Sequence, residues 1–112
     1  MSLAERIRES RKITIEVGNI KFFARRATED ETIQYHTNDT RNIDIAINHV
    51  TGWEGVKECD LIEGGSKELM QFDQESFSEA IKDRADWALE IAKVVFNKGY
   101  ERINKRAENA KN

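Results

Sequence analysis

Three side chains in the 112-residue sequence have the reactivity to form a chemical centre: His36, His49 and Cys59. A metal site needs several ligands of matched type, and a nucleophilic thiol needs a base beside it. The two histidines stand thirteen residues apart, so they do not face each other as an i, i+4 pair, and no second cysteine accompanies Cys59. His49 precedes Cys59 by ten residues, close enough to meet it, but no motif supports the pair. The plainer reading is two helical histidines and a small buried or half-buried thiol. Sixteen carboxylates lie between residues 28 and 92, and none stands out as a catalytic pair against a solvated acidic face. No phosphate-binding loop, dinucleotide-binding glycine pattern or nucleophile elbow is present; Gly52, Gly55, Gly64 and Gly65 are not spaced to cradle a phosphate. The sequence therefore indicates no catalytic residue, no metal and no cofactor, and a protein that is not an enzyme.

Binding is the remaining class, and charge is the first guide to it. Residues 1–27 hold seven Lys/Arg against three Asp/Glu, residues 28–92 five against sixteen, and residues 93–112 six against two. Basic ends thus flank an acidic middle. Such a layout suits mutual attraction within the fold, head-to-tail association between copies, or docking of a basic partner. Arg6, Arg8, Arg11 and Lys12, then Arg25 and Arg26, then Lys98, Arg102, Lys105, Arg106 and Lys111 would form a phosphate-binding surface if clustered on one face. A small nucleic-acid-binding regulator is the alternative function. The acidic middle and a sequence pI near 5.5 argue against it. The lone cysteine, the lack of an apolar leader and the lack of a long apolar run indicate a soluble protein of a reducing cytoplasm, or of a particle assembled there, with no membrane partner.

The elements that position these residues follow from periodicity. Residues 3–10 predict a short helix that frays or docks loosely. Ile13, Ile15 and Val17, then Ile20, Phe22 and Ala24, alternate with other residues around Gly18-Asn19, which predicts a β-hairpin over 12–25 with a type II′ turn. Phe23 falls on the opposite face. Thr28 and Glu31 form a capping-box pattern, and apolar residues at 3–4 spacing predict a helix over about 29–50, continuous or interrupted at a weak point near 38–40; a strand at 43–51 is the rival. Gly52 suits a helix end, and Trp53 then lies in a glycine-flanked turn covering the end of the core. Val56–Ile62 and Glu68–Phe72 predict a second, irregular hairpin around Gly64-Gly65. Asp73 caps a short helix with Phe72 and Phe77 as its hydrophobic staple, and Asp83 caps the last helix. The first half of that helix is apolar enough to pack on the sheet; beyond Gly99 it turns polar and extends into solvent or onto a partner.

Three stretches together resemble a known family: KITIEVGNIKFFARRATEDE, HVTGWEGVKECD and MQFDQESFSEAI. Their order over roughly residues 12–95 resembles small proteins of tailed-phage and prophage tail modules, of the tail-assembly-chaperone type. The Trp53-Glu54-Gly55-Val56 stretch is the most specific part. Such sequences often carry a proline where this one has Gln71, and an acidic-glycine turn where it has Glu63-Gly64-Gly65. The resemblance implies a non-enzymatic protein that binds the tape-measure protein or tail-tube components during assembly, or a minor structural component of the tail.

The expectation is one α+β domain over 1–112: an N-terminal hairpin, extended by a second one and packed by about three helices, the last of them long. Residues 1–11 and 104–112 are expected to fray or extend. Phe23, Trp53, Tyr100, Arg102, Ile103 and Arg106 are the candidate partner contacts, and self-association is a further expectation from the charge layout. The setting is a bacterial host cytoplasm or a virion.

Overall fold

The alternating run at 12–25 folds as a hairpin because one face of it can be buried. Strand β1 (Lys12–Val17) pairs antiparallel with β2 (Ile20–Arg25), Val17 opposite Ile20. Gly18 has a φ of +61° and Asn19 does not share the positive region, as a type II′ turn requires. Ile15, Ile20, Phe22 and Ala24 point inward and are buried; Phe23 points outward. The computed structural model describes residues 1–110, so Lys111 lies outside the described residues.

The remaining elements are α1 (Leu3–Glu9), α2 (Glu29–Thr37), α3 (Asn42–His49), β3 (Val50–Glu54), α4 (Glu58–Leu61), α5 (Gln74–Ala80), a 3₁₀ turn (Ile81–Asp83) and α6 (Ala85–Ala110). The class is α+β, as expected. The sheet has the order β1-β2-β3 with every pair antiparallel. Helix α6 lies on its inner face. Trp87, Ala88, Ile91, Ala92 and Val95 make the buried stripe of α6, and Trp87 meets Phe22 edge-on at 5.2 Å. Each such large side chain contributes roughly 1.5–3 kcal/mol by leaving water.

Three expectations are corrected. The helix over 29–50 is interrupted where its weak point lies, and forms two helices. Thr40 N–H donates to the Tyr35 carbonyl (3.1 Å) and Asp39 N–H to that of His36 (3.5 Å), with Asp39 at a φ of +51°. This is a Schellman ending, with aspartate where glycine is usual. The third strand is β3, not a strand at 43–51 or a second hairpin. Gly52 therefore sits inside a strand, and Trp53 lies in that strand opposite Phe22. The region 56–72 has only one bridge, Lys57 to Leu69, because Glu58–Leu61 closes into a helical turn capped by the Asp60 carboxylate on the Lys57 N–H (2.8 Å). Finally, Asp83 lies in the 3₁₀ turn and α6 begins after Arg84. The Arg84 guanidinium fixes that corner by donating to the Asp60 carbonyl (2.8 Å) and to Asp86, and by lying 3.9 Å over the Trp87 ring.

Local signals elsewhere hold. The Thr28–Glu31 capping box forms in full. Asp73 caps α5, with the Phe72 and Phe77 rings in a tilted contact at 5.8 Å. Helix α1 carries the Ser2 cap and buries nothing. Helix α6 runs unbroken to Ala110.

Candidate binding surfaces

The expected contact residues divide into three places. Phe23 is 40% exposed on the outer sheet face, between Thr14 on β1 and Gly52 on β3. A Cβ at position 52 would stand in van der Waals contact with its ring, 3.4 Å from a ring carbon. Phe23 thus neighbours a glycine and remains part-exposed.

Trp53 does not project. It is only 8% exposed, packs edge-on against Phe72 at 5.1 Å, and its indole N–H donates to the Met70 carbonyl at 2.8 Å. The backbone beyond it depends on Gly55, whose φ is +85° and where a Cβ would stand 2.8 Å from the Asn19 carbonyl oxygen. Val56 then enters the core. The Trp-Glu-Gly-Val stretch is therefore a folding device that ties β3 to the β1–β2 turn and to the 68–72 segment. The edge of Trp53 floors a groove of about 490 Å³ between α4 and α5. Leu61, Ile62 and Met70 line it together with Glu58, Asp73, Glu79 and Asp83. Ile62 at 61% and the nearby Leu69 at 65% are among the most exposed large apolar residues. A lining of apolar and carboxylate side chains suits a segment that is apolar on one side and basic on the other.

The far end of α6 is the third place. Gly99 lets the helix pass close to Thr32 of α2. Tyr100 is half-buried against Phe96 at 5.0 Å, and Ile103 is half-buried one turn on. Arg106 reaches Glu29 in a two-pronged ion pair, so the helix end is held to α2 rather than extending freely. Arg102 is exposed beside Arg26. Burial first, and then the charges of Arg102 and Arg11, lower the Arg26 pKa from its ordinary value. The fold therefore gathers arginines from the N-terminal arm, the end of β2 and α6, although these lie far apart in sequence.

One buried polar cluster had no counterpart in the sequence reading. His49 is fully buried. Its Nδ1 is 2.9 Å from the Arg25 carbonyl oxygen, which can only accept, so Nδ1 carries the proton. Nε2 then accepts from the Tyr35 hydroxyl at 2.8 Å. Glu31 stands 3.7 Å from Nε2 and takes both Arg25 guanidinium nitrogens, at 2.7 and 3.0 Å, and the Thr28 N–H at 3.0 Å. Burial lowers the His49 pKa, with the Arg25 charge adding to it. Burial would raise the Glu31 carboxyl, but the Arg25 and Thr28 hydrogen bonds and the Arg25 charge outweigh it and hold that group at about 2. With both ring nitrogens engaged, His49 has none left to act as a base. Cys59 is exposed on α4, not buried. No group of three or more metal-ligating side chains is assembled among the described residues, and no helix there is long and apolar enough to cross a membrane. The only sequence signal for the cluster was the i, i+4 step from Ile45 to His49 on a buried helix face.

Comparison with protein families, with curated proteins and with solved structures gave no match to this chain.

Proposed function

We propose that the chain is a phage or prophage tail protein, an assembly chaperone or minor structural component, that acts by binding another tail protein and catalyses nothing. The observation that carries the binding role is the groove of apolar and carboxylate side chains beside Trp53. The tail setting rests on the three resembling stretches of sequence. The partner is a tape-measure or tail-tube protein, engaged through a helical segment with an apolar stripe flanked by lysines and arginines. Its stripe meets Ile62, Leu61 and Met70, and its cations meet Glu58, Asp73, Glu79 and Asp83. Phe23 and the α6 end are secondary contacts. The site of action is the bacterial host cytoplasm or the virion. Co-expression with tail-tube and tape-measure products of the proposed tail module tests the reading. Stable co-purification that is lost on Ile62→Asp supports it; failure to bind either product removes it.

The convergence of Arg11, Arg26 and Arg102 favours a second reading, a nucleic-acid-binding regulator that uses its basic terminal segments. A gel shift that weakens steeply with salt and is lost on Arg26→Ala supports that reading instead. Unchanged mobility at low salt excludes it.

A further inference from the structure

The outer edge of β1 is open, and its geometry fits one occupant. In a two-residue hairpin the residues flanking the turn form a hydrogen-bonded pair, and bonded pairs recur at every second residue. Val17 and Ile20 flank the turn, so Ile15–Phe22 and Ile13–Ala24 are also bonded pairs. The Arg26 N–H donating to the Arg11 carbonyl at 2.8 Å keeps the same parity beyond the strand. Lys12, Thr14 and Glu16 therefore direct their N–H and C=O groups away from β2. Among the described residues β1 pairs with β2 alone, and no other backbone hydrogen bond reaches these groups.

We propose that this edge pairs antiparallel with the same edge of a second copy, centred on Thr14. In that register Thr14 faces Thr14, Lys12 faces Glu16 of the second copy, and Glu16 faces its Lys12. All the outward groups of the three residues are satisfied. Centring on Lys12 or on Glu16 would oppose like charges, and centring on Ile13 or Ile15 would leave part of the edge unbonded. Charged residues on an open edge ordinarily repel another strand. Here they repel every strand except one that carries the opposite signs in reverse order, as an inverted copy of β1 does. Among the described residues Lys12 pairs with exposed Glu9 at 2.7 Å, a contact too solvated to compete. On the inner face, Ile13 of each copy comes beside Ile15 of the other, and half-buried Ile13 and Val17 gain cover. The product is one six-stranded sheet whose outer face carries both Phe23 rings with the Thr14 pair between them. The inference does not depend on the tail setting.

Sedimentation velocity on the full chain should give a concentration-dependent dimer. Glu16→Lys should weaken it at least about tenfold, because like charges directly opposite each other destabilise a strand pair. The swap Lys12→Glu with Glu16→Lys should restore it. Thr14→Pro should abolish it while circular dichroism stays native, since the N–H removed faces away from β2. In a Cys59→Ser background, Thr14→Cys should form a covalent dimer on mild oxidation, whereas exposed Lys21→Cys on β2 should not. A chain that stays monomeric at every concentration overturns the proposal, including one that takes up an extended peptide at this edge instead. A dimer indifferent to Thr14→Pro and to charge reversal, or one that crosslinks as readily through position 21, overturns it as well.

Discussion

Gly99 sits mid-helix in α6, where alanine would ordinarily stabilise by about 1 kcal/mol. The contact geometry predicts the opposite sign. A Cβ at this position would stand 2.0 Å from the Thr32 Oγ1, 3.3 Å from the Thr32 Cβ and 3.2 Å from the Ala27 carbonyl oxygen. Thr32 cannot turn aside at little cost. It is buried, β-branched, and its hydroxyl donates to the Thr28 carbonyl at 2.8 Å. Either α6 lifts from α2 or the hydroxyl gives up its partner. Overpacking costs typically about 1–3 kcal/mol and a lost buried hydrogen bond roughly 1 kcal/mol more. Set against the helix-propensity gain, Gly99→Ala should destabilise by about 1–3 kcal/mol. Urea unfolding followed by tryptophan fluorescence should show a lower midpoint with an unchanged slope. Thr32→Ala removes the obstructing oxygen, so the double variant should be more stable than the two single effects summed, by about 1–2 kcal/mol. A stabilised Gly99→Ala, or a cycle additive within about 0.5 kcal/mol, would refute the close approach that holds the α6 end to α2.

Further outcomes follow from other particulars. His49 has a depressed pKa, so the unfolded chain takes up a proton first as pH falls through about 6.5, and stability declines from there downward. Glu31, held at about 2, adds a second loss below its ordinary carboxyl range; after allowance for its partial exposure this amounts to about 1–2 kcal/mol. His49→Gln should lower stability at neutral pH yet flatten the loss between about pH 6.5 and 5, which chemical denaturation at a series of pH values would read. Asp39→Gly should raise stability by about 0.5–1 kcal/mol, since glycine takes the left-handed position without strain; thermal melts would detect it as a higher midpoint.

Much of the fold was legible where short-range chemistry decides it. The hairpin was marked by period-two alternation and Gly18-Asn19, the start of α2 by Thr28 and Glu31, and α5 by Asp73 with its flanking phenylalanines. What failed depended on distant partners. β3 is five residues long with a glycine inside, and it becomes a strand because Phe22 on β2 offers Trp53 a neighbour. The break between α2 and α3 was visible as a weak point, but its form depends on Asp39 adopting a conformation rarely open to aspartate. Asp60 turned the expected second hairpin into a helical turn by capping Lys57. Among the contact residues, alternation placed Phe23 on the outer face correctly. Trp53 read in sequence both as a cover for the end of the core and as a contact, and the Met70 carbonyl and the Phe72 ring place it in the core. The gathering of Arg11, Arg26 and Arg102, and the tie from Arg106 to Glu29, rest on how α6 crosses α2, which Gly99 permits and no local pattern announces.

The central claim is that the groove beside Trp53 binds a basic, apolar-striped segment of a tail protein. Isothermal titration of the chain against a tape-measure protein of the proposed tail module tests it most directly, with a Glu79→Lys/Asp83→Lys variant alongside. Binding should be saturable, weaken with added salt and fall at least about tenfold in the variant, whose thermal stability should stay near that of the parent. Binding of equal strength in both proteins, or none in either, would contradict it.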